Sequence, residues 1–197
     1  MIRAWNAESA FDVAVDRLAP ADDPHRAEIL VRRASYYRWL KAFDKEAADR
    51  QAALDLNPDD AVVCNNLAWL YVTGPERLRD VNTALPLARK AVDRAPGQWM
   101  FRNTLGVVYY RLGKYPQAVE MLEQSLRESN GEAAAFDLFF LSMCHTRRGD
   151  EAKSKDCYDR AVKWVQAKHD KLPAQWREEL AFFRAEADAV LAKNDAH

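Results

Sequence analysis

Apolar residues along this chain recur at helical spacing, in short stripes separated by turn residues. Between Trp99 and Arg127, Phe101, Leu105, Val108, Tyr109 and Leu112 stand at offsets 0, 4, 7, 8 and 11, and Tyr115, Ala118, Val119, Leu122 and Leu126 at 0, 3, 4, 7 and 11. Each set predicts a helix with one buried face. Gly113 divides the two, and Pro116 falls where a helix start tolerates a missing N–H. Trp176, Leu180, Phe183, Ala187, Val190 and Leu191, at offsets 0, 4, 7, 11, 14 and 15, predict a long last helix within 173–193. Near the start, Phe11, Ala14, Val15 and Leu18 at 0, 3, 4 and 7 predict a single amphipathic helix. Five of the six glycines (Gly74, Gly97, Gly113, Gly131, Gly149) lie between helical stretches. No β-branched run alternates with polar residues, so the chain is expected to be all-α.

One order of residues returns four times. Leu105-Gly106, Tyr109, Gly113, Tyr115 and Ala118 are echoed by Leu67-Ala68, Tyr71, Ala84, Ala88, Ala91 and Pro96. Ala34, Tyr37, Phe43, Ala53 and Asn57-Pro58 form a third copy, and Leu141-Ser142, His145, Gly149, Tyr158 and Ala161 a fourth. This pattern resembles the tetratricopeptide repeat family, whose unit is a helix hairpin of about 34 residues. The resemblance places repeat starts near 27, 61, 99 and 135. It implies a right-handed α-solenoid: four repeats over 25–172, a C-terminal capping helix over 173–197, and in 1–24 an N-terminal cap or the remnant of an upstream repeat. Small residues in the eighth place (Ala34, Ala68, Gly106, Ser142) let the two helices of each hairpin approach closely.

Departures from the family pattern are specific. Arg33 stands in place of Leu, His145 in place of Tyr, and the closing Pro is missing after the copies that begin near 99 and 135. Four extra residues sit in the turn TGPERLRD, which puts Pro86 in or near the first turn of a helix expected to start near Thr83. Residues 60 to 192 also resemble the tetratricopeptide segment C-terminal to bacterial eukaryotic-like serine/threonine kinases. That likeness implies a freestanding relative or a part of a larger protein and lends no catalytic residue.

Charge and chemistry narrow the functional classes. The 197 residues include 29 basic and 30 acidic ones, a net charge of -1. That balance lacks the footprint of a dedicated nucleic-acid binder. Three cysteines, Cys64, Cys144 and Cys157, form no CxxC pair and leave an odd total. They are expected to be small core residues in a reducing compartment. No stretch of about 18 apolar residues occurs, so no membrane span or secretory signal is expected and the protein is expected to be cytoplasmic. The phosphate-loop, kinase and nucleophile-elbow motifs are absent, as is HExxH, so neither enzyme activity, metal nor cofactor is expected. Cys144 and His145 adjoin, but neighbours on a helix point about 100° apart and cannot share a proton.

What remains is a binding surface. In this family the first helices line a concave groove, and the resemblance assigns to it Arg38 and Trp39 from the first repeat, Asn65 and Trp69 from the second, Asn103, Val107, Tyr110 and Arg111 from the third, and Phe139, Met143 and Arg147 from the fourth. The mixture is aromatic, apolar and arginine-rich, as recognition hot spots are. Asn65 and Asn103 would pair with the main chain of a bound segment, or only with neighbouring helices. Arg38 and Arg111 would select an acidic or phosphorylated residue. Trp69 either faces the groove or covers the inserted turn, and Phe136 and Phe139 either face it or pack under the last helix. The chaperone-tail clamp of the family is not expected, since of its five places (Val31, Ser35, Asn66, Met100, Thr104) only Asn66 matches. A protein or peptide segment is the expected partner of a monomer or weak homo-oligomer, with a self-associating structural unit as the alternative.

Overall fold

The computed structural model describes residue 13 and residues 25–194. The helix expected from Phe11 to Leu18 lies outside the described residues except for Val13, which is helical. The chain divides between Arg94 and Ala95 into two compact units. The first holds helices α1 (Arg26–Trp39), α2 (Phe43–Leu56), α3 (Ala61–Thr73) and α4 (Val81–Arg94). The second holds α5 (Trp99–Arg111), α6 (Tyr115–Glu128), α7 (Ala134–Arg147), α8 (Glu151–Lys168) and α9 (Ala174–Asn194). No strand occurs among the described residues. Consecutive helices pair as hairpins, α1 with α2, α3 with α4, α5 with α6 and α7 with α8, and α9 packs on α7.

Local chemistry sets the helix ends. Asp60 accepts hydrogen bonds from the Val62 and Val63 amides, both at 3.0 Å, and Asp150 accepts one from Lys153 at 3.1 Å. Both satisfy donors that the first turn leaves over. Three hairpins turn through one left-handed residue in the same place of the repeat: Lys41 (φ 57), Gly113 (φ 70) and Gly149 (φ 75). Glycine adopts that conformation without strain, whereas the Cβ of Lys41 does not.

The fourth hairpin turns differently. Gly74 ends α3, a single 3-10 turn covers Glu76–Leu78, and the Arg79 side chain donates to the Gly74 carbonyl at 3.0 Å. Asp80 then caps α4 by accepting from the Asn82 and Thr83 amides and from the Thr83 hydroxyl. This cap starts the helix at Val81, two residues before the expected Thr83, so Pro86 lies in its second turn rather than its first. The proline therefore leaves the Asn82 carbonyl without its i+4 donor, on a side of the helix where both residues are exposed to water.

The eighth-place residues sit at the hairpin contacts. Ala34, Ala68 and Ser142 are fully buried, and a Cβ built on Gly106 would stand 2.7 Å from Leu122 Cγ. Cys64, Cys144 and Cys157 are free thiols and buried core residues.

Candidate functional site

In the first unit the interior of the α1–α2 hairpin is charged. Arg33, in the place where the family carries Leu, donates from Nε and Nη2 to the two oxygens of Asp49, each at 2.7 Å. Glu46, 1% exposed, accepts from Arg50 Nε at 2.9 Å, and Arg38 Nη1 lies 3.6 Å from its other oxygen. Arg38, expected to reach into a groove, is thus half-buried and committed to Glu46. Trp39 beside it is 73% exposed, its ring stacked on Tyr36 at 6.0 Å. Asn65 is buried and donates to the Asn66 side chain at 3.4 Å, while Trp69 is half-buried.

In the second unit the interior is aromatic. Phe140 meets Tyr110 edge-on at 5.5 Å and Phe183 at 5.0 Å, and Phe136 meets Trp176 at 5.1 Å and Phe183 at 6.1 Å. Phe139, wholly buried, packs on Tyr158 at 6.0 Å. Phe136 and Phe139 are therefore core, one of them directly under the last helix. The expectation of an open groove needs correcting here for Val107, Tyr110, Phe139 and Met143. All four are buried, because α7 packs against α5 and α9 packs on α7. The Tyr110 hydroxyl donates to Met143 Sδ at 3.4 Å, and burial pushes its own ionisation up to about 12.

Asn103 does not offer its amide outward either. It donates to Asp137 Oδ1 at 2.8 Å, both side chains being buried. Burial pushes the Asp137 carboxyl up to about 7, against the lowering influence of Asn103 and of the neighbouring Ser125 hydroxyl. The second oxygen of Asp137 has no hydrogen-bond partner. Sequence gave no signal for this pair, since residues 34 apart in different hairpins carry no local pattern.

Arg111 does hold a carboxylate, and it belongs to the chain itself. Its two terminal nitrogens donate to the two oxygens of Glu186 in α9, Nη2 to Oε2 at 2.8 Å. The guanidinium also lies 5.5 Å from the Tyr110 and Phe140 ring centres. Glu186 escaped sequence reasoning because it stands at the edge of the apolar stripe, one residue before Ala187. Of the residues assigned to the groove, Trp39 and Arg147 are the two that are well exposed.

Burial pushes the Cys144 thiol up to about 12 and Cys157 up to about 11, away from the thiolate that a nucleophile needs. Burial also lowers the His145 imidazole, and its Nδ1 has no partner. Among the described residues no cluster of three or more His, Cys, Asp or Glu side chains could hold a metal ion. No helix among them is long and apolar enough to cross a membrane.

Known proteins place the geometry. A family profile described as tetratricopeptide repeat matches residues 76–133 and 104–170. Residues 76–170 carry tetratricopeptide repeats. The fold of the chain matches solved structures of such solenoids at low identity. MamA AMB-1 is 18% identical with a TM-score of 0.65, over 81% of this chain and 90% of that one. BtubC (BKLC) from P. vanneervenii is 23% identical with a TM-score of 0.65, over 85% and 75%. PilW, described as a widely conserved type IV pilus biogenesis factor, is 22% identical with a TM-score of 0.59, over 88% and 77%. At these identities the likeness is one of fold. No curated protein matches the sequence significantly. These matches support the repeat family and its solenoid; an association with kinases is not part of them.

Proposed function

We propose that this tetratricopeptide repeat protein is a non-catalytic scaffold that binds a segment of another protein. The family's general role in protein–protein contact supports this reading. The observation that carries it is Trp39, a large aromatic side chain left 73% exposed on α1 in a place the family uses for recognition. Exposed tryptophan is uncommon on a surface that binds nothing and is frequent among residues that dominate binding energy. The test is capture of partners from native extract by the full chain and by Trp39→Ala. Loss of a captured protein by at least tenfold in the variant, at unchanged helicity, supports the reading. Equal capture by both places the contact elsewhere. Light scattering of the purified chain separates this from self-association, which would appear as a concentration-dependent rise in mass.

A further inference from the structure

The last helix does more than shield the end of the second unit. Leu180, Phe183, Ala187 and Val190 form its buried stripe, and this stripe lies on α7, the first helix of its hairpin. Beside the stripe Glu186 reaches across to Arg111 on α5, the first helix of the preceding hairpin. An apolar face with an acid at its edge therefore rests on the side where the family receives its ligands. On the α8 side its hold is thin. The Tyr158 hydroxyl donates to Asp188 and accepts from Arg184 at 3.3 Å. An open cleft of about 420 Å³ remains beside Leu191, lined also by Thr146, Glu151, Ser154, Lys155 and Tyr158.

We propose that the face of α5 and α7 beneath α9 is a docking site for an amphipathic helix of a partner protein, and that α9 fills it in cis. The chemistry of the occupant is read from α9. It offers an aromatic residue at one position, a carboxylate three residues on, and small or branched apolar residues four and seven on, as Phe183, Glu186, Ala187 and Val190 do. Arg111, largely desolvated over two rings, needs that carboxylate from whichever helix is seated. The cleft favours a foreign helix over a second copy of this chain. An exchanged α9 would leave the same open cleft, whereas a partner with a larger side chain in the place of Leu191 reaches into it and gains apolar contact. Tethering gives α9 a high effective concentration, so the partner binds at an affinity reduced by the fraction of time that the face is covered.

This inference rests on the scaffold reading above, and its test is separate. The probe is a labelled 21-residue peptide of the α9 sequence 174–194 carrying Leu191→Phe, read by fluorescence anisotropy against the full-length chain. Glu186→Arg in the chain sets two cations against each other and loosens α9, so the peptide binds this variant at least tenfold tighter than wild type. Adding Arg111→Glu to the chain rebuilds the pair with its charges reversed, seats α9 again and removes the gain. Equal binding to wild type and variant, or no binding to a variant whose circular dichroism is unchanged, overturns the proposal. Where Glu186→Arg does not fold, wild-type chain at saturating peptide is followed by hydrogen exchange. Amides of 174–194 in the chain must then exchange at least tenfold faster while α5 and α7 stay protected; no change overturns the proposal. A dimer that excess peptide does not dissociate assigns the face to a second copy and also overturns it. If the peptide fails while Trp39-dependent capture persists, the scaffold stands and only this site falls.

Discussion

The α1–α2 hairpin and the C-terminal unit build the same repeat from opposite materials. The first fills its interior with Arg33–Asp49 and with Glu46 between Arg50 and Arg38. The second fills it with Phe136, Phe139, Phe140 and Phe183. Backbone geometry is alike in both, down to the left-handed residue at the turn, so the hairpin does not depend on an apolar seventh place. It depends on small residues where helices touch and on every buried charge having a partner. Ionic interiors gain little net stability, because desolvation offsets attraction, but they penalise any arrangement that leaves one charge alone.

The sharpest way to break the comparison is to remove one partner of the ionic interior. Arg33→Ala leaves Asp49 buried without its guanidinium and is expected to cost about 3 to 5 kcal/mol in urea unfolding. Replacing both, Arg33→Met with Asp49→Leu, is expected to be neutral or stabilising; a double variant as unstable as the single one would show that the pair does more than fill space. Next in size is Gly106→Leu in the aromatic unit. Its Cβ would meet Leu122 at 2.7 Å, so overpacking should cost about 1 to 3 kcal/mol, read as a lowered Tm. Lys41→Gly tests the one turn where the hairpins differ in strain, and relief of the left-handed lysine is expected to stabilise by up to about 1 kcal/mol.

The smallest effect, within the pH unit around neutrality, is a slope. The folded-state pKa of Asp137 is raised to about 7, so the native chain binds its proton more tightly than the unfolded one. Stability from this group is full below the unfolded pKa and is lost as pH rises to about 7. Urea midpoints should therefore rise as pH falls from 7.5 to 6.5, and Asp137→Asn should remove that part of the slope. An identical slope in the variant assigns it to other groups.

Much of this was legible in the sequence, for identifiable reasons. The stripe from Trp176 to Leu191 appears as a helix with Leu180, Phe183, Ala187 and Val190 buried, because a 3.6-residue period is written along one segment. Gly106 was readable because one missing side chain at a repeating place has one geometric meaning. The candidate site was less legible. Arg38 and Arg111 were expected to select an acidic residue of a bound segment; they hold Glu46 and Glu186 of the chain itself, which lie 8 and 75 residues away and which nothing in their spacing names. Val107, Phe139 and Met143 have the chemistry of a groove wall and of a core alike, and only the seating of α7 and α9 decides between the two. Pro86 stands just beyond the first turn, because the Asp80 cap starts the helix two residues ahead of Thr83.

The three buried thiols carry a practical consequence. Burial raises the ionisation of all three, Cys144 to about 12 and Cys157 to about 11, and a thiol so held and closed to solvent does not react with alkylating reagents until its surroundings open. Cys64 lies in the first unit and Cys144 with Cys157 in the second, so the protein carries its own set of chemical clocks. Pulsed alkylation followed by mass analysis would time the opening of each half separately, in the unaltered chain and with no introduced probe.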